Sequence, residues 1–205
     1  MADLYFFVSK RKIEDVVDCG LKLSEWYDRE ITIPGTSEIR KVLKALLNPR
    51  DDIKMLKDTN YQCIRLQVEL EYCRVADATL YHMGQENSGI MEQYYKNIIP
   101  LKEYCFGTFR EPEVLVLASV LPEYIKVTGA ALDIPLLYEN SEKLYLENLM
   151  EKQEELHKDS GNHLLYAFFT YLETKGKVTR FEDKDKNNVV FFNTDSEEYI
   201  VLRIS

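Results

Sequence analysis

The sharpest pattern in the chain lies between Cys63 and Cys73, where Ile64, Leu66, Val68, Leu70 and Tyr72 interleave with Arg65, Gln67, Glu69 and Glu71. A period of two places one set on a buried face and the other in water, so the segment predicts an amphipathic strand. Short apolar runs, Leu4-Tyr5-Phe6-Phe7-Val8 and Val114 to Val120, predict buried strands. Three stretches show helical spacing instead. Ile13, Val16 and Val17 follow Ser9, which is placed to cap a helix, and stop at Gly20. Ile39, Val42, Leu43, Leu46 and Leu47 follow a Pro34-Gly35 turn, with Thr36 or Ser37 as the cap and Asn48-Pro49 as the stop. Ile90, Met91, Tyr94, Tyr95, Ile98 and Ile99 follow Asn87 or Ser88 and end at Pro100. A Pro122 turn and a short strand from Tyr124 to Val127 come before Gly129.

The texture changes near Pro135. From Asn140 a charged helix runs to about His157, Ser160-Gly161-Asn162 breaks it, and an apolar helix from His163 stops at Gly176, which together predict a helical hairpin. Lys177 to Phe181, Val189 to Phe192 and Glu198 to Ile204 are strand-like runs joined by polar loops, the pattern of an antiparallel β-meander. Strands and helices without regular βαβ alternation point to the α+β class. The change of texture divides the chain into residues 1–137 and a C-terminal extension, 138–205.

Composition narrows the chemistry. A chain of 205 residues buries a sizeable core without staples. Cys19, Cys63, Cys73 and Cys105 are scattered, form no C-x-x-C pair and lie far from His82, His157 and His163, so reduced thiols, no disulfide framework and no metal are expected. No apolar stretch reaches the length of a membrane span, and no signal segment opens the chain, which together predict a soluble, cytoplasmic protein. A formal charge of −9 works against broad attraction to nucleic-acid phosphates but leaves room for a local basic groove. The glycine signatures of dinucleotide folds, P-loops and serine hydrolases are missing.

Three short motifs carry candidate chemistry. Lys10-Arg11-Lys12 sits at the start of the first predicted helix, where the macrodipole disfavours cations. The placement reads either as a phosphate cradle or as a solvated face. In Asn48-Pro49-Arg50 a proline pins the chain beside an arginine suited to bidentate phosphate or carboxylate contact, and the same dipeptide is an ordinary helix stop. Arg110-Glu111-Pro112-Glu113 opens the strand from Val114. Glu113 there is placed to stabilise positive charge or orient a nucleophile, or else to guard a strand edge. Tyr5, Tyr81, Tyr94, Tyr95 and Tyr104 flank these segments as stacking or core-rim residues.

Taken in order, these segments resemble the ADP-ribosyltransferase fold, in particular the DarT-like branch that modifies DNA bases. That branch opens with a pattern similar to Leu-Tyr-His-Phe-Thr-His, a helix and Gly-Leu, matched here by Leu4 to Ser9, Ile13 to Val17 and Gly20-Leu21. Its Asn-Pro-Arg and Met-Leu resemble Asn48-Pro49-Arg50 and Met55-Leu56, and its Glu-x-Leu-Val resembles Glu113-Val114-Leu115-Val116. A Val-Pro-Pro-Glu-Tyr-Ile-like turn corresponds to Val120 to Ile125. The likeness covers about residues 1–137 and implies mixed sheets with flanking helices and NAD as substrate. It further implies a nucleic-acid or protein acceptor, Glu113 as the acid and Arg50 as a phosphate holder. Phe6, Ser9, Lys10, Arg11 and Lys12 fall where the cofactor contacts would lie. Phe6 stands where the branch has its NAD-contacting histidine, which makes a catalytically inactive binding module of the same fold the alternative expectation.

Overall fold

A computed structural model describes residues 1–33, 36, 38–129, 136–156, 163–183, 187–193, 196 and 198–203, the side chain of residue 154 excepted. In chain order they form β1 (Ala2–Ser9), α1 (Ile13–Cys19), α2 (Leu23–Trp26), β2 (Arg29–Thr32), β3 (Ile39–Ala45), α3 (Ile53–Lys57), β4 (Tyr61–Val68) and β5 (Cys73–Asp77). There follow α4 (Ala78–Gly84), α5 (Ser88–Lys96), β6 (Ile99–Pro100), β7 (Pro112–Val116), β8 (Ile125–Val127), α6 (Ser141–Leu156), α7 (His163–Thr174), β9 (Val178–Asp183), β10 (Asn188–Asn193) and β11 (Tyr199–Arg203). The class is α+β, with three antiparallel sheets among the described residues, ordered β1-β4-β8, β2-β3-β7-β5-β6 and β11-β10-β9. By contacts the chain divides into two units, Met1–Asn148 and Leu149–Ser205. None of the described helices is long and apolar enough to cross a membrane.

In the first unit the alternation of β4 works as its pattern predicts. Ile64, Leu66 and Val68 are buried, and β1 pairs with β4 in the register Leu4↔Leu66 and Phe6↔Ile64. Together with Leu43, Ala45, Val75, Val114 and Val116 of the five-stranded sheet they form one core. A second core lies on the other face of that sheet, where Ile31, Val42, Ala76 and Leu115 pack against Tyr94 and Ile98, with Leu80, Tyr81, Met91 and Tyr95 around them. Helices α4 and α5 therefore cover the outer face of the larger sheet. Of the four cysteines, all free, Cys63 and Cys73 are buried and desolvation pushes both thiols up to about 11, whereas Cys19 and Cys105 are exposed.

Several sequence expectations are corrected. Residues 39–45 form a strand, not a helix. β3 lies between β2 and β7, and both its faces are covered, Val42 in one core and Leu43 and Ala45 in the other. A doubly buried strand loses the apolar/polar alternation, so its adjacent apolar residues imitate helical spacing. Thr36 serves the β2–β3 connection instead of a helix cap: its hydroxyl donates to Ile33 O and accepts from Glu38 N. The strand expected from Cys63 to Cys73 stops at Val68, because β4 pairs with β1 and β8 while β5 pairs with β6 and β7. The chain turns that corner through a 3-10 turn, Leu70–Tyr72, whose Leu70 and Tyr72 are exposed. The strand expected from Val114 to Val120 ends at Val116, and Val120 instead bridges Leu21. Ser9 makes no side-chain capping bond, and a 3-10 turn of Lys10–Lys12 precedes α1. Asn87 does cap α5, accepting from Gly89 N and Ile90 N at 3.0 and 3.3 Å. Helix α4, unread in the sequence, is capped by Asp77.

In the second unit, the meander is antiparallel as expected, with Val189 of β10 opposite Glu182 of β9 and Leu202 of β11. Val178, Val189, Phe191 and Leu202 make its core with Leu165, Tyr166, Phe169 and Leu172 of α7, and the Phe169 and Phe191 rings stack at 5.3 Å. Gly176 follows α7 at φ +68°. Pro34-Gly35, Ser37, Pro135, His157, Ser160-Gly161-Asn162 and Ile204 lie outside the described residues.

Gly20 ends α1 at φ +76°, and a Cβ there would stand 2.4 Å from the carbonyl oxygen of Val120. That oxygen already accepts from Leu21 N, so it cannot retreat without breaking the bridge. Gly20→Ala is expected to lower stability by about 2 kcal/mol or more, read from urea denaturation, since backbone strain and a steric clash act together.

Candidate functional site

β7 begins at Pro112 and runs between β3 and β5, with Ala45↔Val114 and Ala76↔Glu113 in register. Glu113 thus occupies a central strand, which sets aside the edge-guarding role for its charge. Its side chain is only 1% exposed. A carboxylate so buried needs a cation and donors to remain charged.

The cation is Arg29 of β2. That strand lies two places away from β7, roughly 10 Å at ordinary strand spacing, and the long Arg29 and Glu113 side chains together span the gap. Arg29 Nη2 pairs with Glu113 Oε1 and donates to the Tyr94 hydroxyl at 2.7 Å, while Nη1 donates to Asp28 Oδ2 at 2.7 Å. The guanidinium carbon stands 3.7 Å from the centre of the Tyr81 ring, a cation–π contact that covers its face. Tyr94 of α5, itself fully buried, donates its hydroxyl to Glu113 Oε1 at 2.9 Å. Burial opposes the charge on Arg29, but Glu113 and Tyr94 more than offset it and the guanidinium pKa rises. Burial, then the adjacent Glu113 charge, drive the Tyr94 phenol well above its ordinary value. The second carboxylate oxygen, Oε2, is buried without a hydrogen bond among the described residues. Lys44 Nζ of β3 lies 3.5 Å from it, close enough for an ion pair but too far for a good hydrogen bond.

Glu113 and Lys44 form part of the wall of a cleft of about 270 Å3, whose other walls include Arg50, Asp51, His82 and Arg110. Arg50 comes from the 3-10 turn Pro49–Asp51, which Asn48 caps by accepting from Arg50 N at 2.9 Å. Asn48 is 2% exposed and donates onward to the carbonyl of Tyr138 at 2.9 Å. Asp51 accepts from Ser141 N and Ser141 Oγ, both at 2.7 Å, so the arginine turn is fastened to the start of α6. Arg50 itself is exposed and forms no ion pair among the described residues. Arg110 pairs with Glu142 across the cleft.

Of the residues singled out from sequence, the fold brings Arg50 and the whole Arg110–Glu113 motif to one cleft and leaves Phe6, Ser9 and the Lys10–Lys12 turn elsewhere. Lys10, Arg11 and Lys12 are exposed and absent from the cleft walls, and Lys12 Nζ lies 5.2 Å from the Trp26 ring. Phe6 is half-buried, packs edge-on against Trp26 at 6.2 Å and faces the inter-sheet core. Ser9 pairs with Tyr61 at the end of β1. Arg29 and Lys44 were not foreseen. Arg29 stands inside the ordinary charge run Asp28-Arg29-Glu30, and Lys44 lies in the segment whose spacing imitates a helix. Nothing local in the sequence marks either as a partner of Glu113.

Comparison of the chain with protein-family models, curated proteins and solved structures finds no match in any of the three.

Removing one partner of a buried pair strands the other charge. Arg29→Met is expected to lose about 3–5 kcal/mol of stability in urea denaturation, whereas Arg29→Met combined with Glu113→Leu loses less than the sum of the single changes. Asp51 generates a pH prediction. Burial raises its carboxyl above the usual aspartate range although the Ser141 bonds pull it down. The folded chain therefore holds that proton more tightly than the unfolded chain, and stability falls as pH climbs from the ordinary aspartate value through the raised one. Asp51→Asn is expected to flatten the curve of urea midpoint against pH across that window.

Proposed function

We propose that the cleft of the first unit binds NAD and that the protein transfers ADP-ribose from it to a nucleic-acid or protein acceptor. The observation that carries this reading is the meeting of Glu113 and Arg50, 63 positions apart in the chain, on the walls of one cleft. The resemblance in sequence assigns those two residues the acid and the phosphate-holding roles. Two antiparallel sheets with helices over the outer face of the larger one lend support from the side of the fold.

In the proposed reaction the bond between nicotinamide and ribose breaks as positive charge develops on the ribose. Glu113, paired with Arg29, offers Oε2 to that developing charge or to a ribose hydroxyl. Arg50, carried on a capped turn, and Lys44 offer cations to the phosphates. A cavity of about 270 Å3 is near the small end of ligand pockets, so it would take one end of the dinucleotide.

A second reading, a binding module without catalysis, draws on a specific observation as well. Phe6 offers no hydrogen bond and packs into the core, and the Lys10–Lys12 turn stands away from the cleft. Isothermal titration with NAD and a nicotinamide-release assay on wild type and Glu113→Gln separate the two. Binding with release that Glu113→Gln abolishes is the expected result. Binding without release supports the module, and neither binding nor release discards both readings for NAD.

A further inference from the structure

The interactions around Glu113 are lopsided. Among the described residues, every group that hydrogen-bonds its carboxylate, Arg29 Nη2 and the Tyr94 hydroxyl, goes to Oε1. Oε2 is equally buried and receives none. The groups on the two sides differ in a second way. Arg29, Tyr81 and Tyr94 are absent from the walls of the cleft, whereas Lys44, the cation nearest Oε2, is on them, as is Glu113 itself. The Oε1 donors thus come from residues outside the cleft walls, and the cation beside Oε2 comes from a residue on them.

An ion pair serving stability alone would gain from filling both oxygens, because a buried acceptor without a donor is destabilising and uncommon in folded proteins. Here the fold concentrates two donors on one oxygen and withholds them from the other. We infer that Arg29 and Tyr94 are positioning residues, which hold Glu113 by Oε1 in one orientation so that Oε2 accepts from a hydrogen-bond donor, such as a sugar hydroxyl, on the ligand in the cleft. This inference rests on the cleft reading given above. Tyr81 completes the hold by covering the guanidinium face at 3.7 Å, which limits the ways Arg29 can swing. Lys44 balances the charge of Oε2 without supplying a short hydrogen bond, and so leaves the acceptor open.

The test compares Tyr94→Phe, which keeps the ring that fills the α5 core and removes only the hydroxyl, with Arg29→Lys, which keeps the charge and loses the forked geometry. NAD is the probe. For both variants kcat for nicotinamide release is expected to fall about 10- to 100-fold with KM changed less than about threefold, the signature of a misaligned reacting group rather than lost binding. A kcat within twofold of wild type in Tyr94→Phe overturns the inference. Circular dichroism and melting of each variant show which is folded, and Tyr94→Phe alone suffices if Arg29→Lys is not. Crystal structures of wild type and Tyr94→Phe supply a readout that needs no turnover. Oε2 is expected to leave the cleft wall in the variant, and an unmoved carboxylate overturns the positioning role whether or not NAD reacts. If wild type releases no nicotinamide but the carboxylate does swing, the NAD reading fails while the positioning of Oε2 toward the cleft stands.

Discussion

Burying one carboxylate organises much of the first unit. Glu113 sits at the start of a central strand with its side chain 1% exposed, a position that is untenable without a matching cation. Arg29 supplies it from an outer strand two places away, across Val42 of β3. One interaction therefore ties β2 to β7, brings down Tyr81 of α4 and Tyr94 of α5, and dictates which residues of the helix pair face the sheet. Apolar packing around it, from Ile31, Leu115 and Ile98, keeps water out and strengthens the pair.

The cleft owes its second wall to a different device. Asn48 and Asp51 use their side chains to fasten the turn carrying Arg50 to Tyr138 and Ser141. The backbone that carries Arg50 is therefore fixed by polar side chains of the same turn, while its guanidinium stays exposed and without an ion pair among the described residues. An acid on a central strand and an arginine on a strapped turn line one cleft. The second unit is built differently: α7 and a three-stranded meander close on an apolar core of Val178, Val189, Phe191 and Leu202.

Local patterns in the sequence determined a good deal. The alternation around Ile64 and Leu66, the apolar run from Leu4 to Val8, the Asn87 cap and the three tail strands each depend on neighbours in the chain, so periodicity and capping chemistry were enough to read them. Glu113 and Arg50 were likewise legible as candidates, because a proline beside each restricts the backbone and gives a charged side chain a defined place.

Only the tertiary structure decided what those residues face. β3 reads as a helix in isolation because its two buried faces erase the strand period, and its true state is set by β2 and β7 pairing on either side. The Lys10–Lys12 turn and Phe6 were drawn toward the site by sequence order, but β1 leads them to Trp26 and the inter-sheet core. Arg29 and Tyr94 lie 84 and 19 positions from Glu113, and nothing in the charge run around one or the helical spacing around the other encodes that meeting. A buried charge selects its partner by proximity and desolvation in the folded chain, and those quantities do not exist until the sheet has formed.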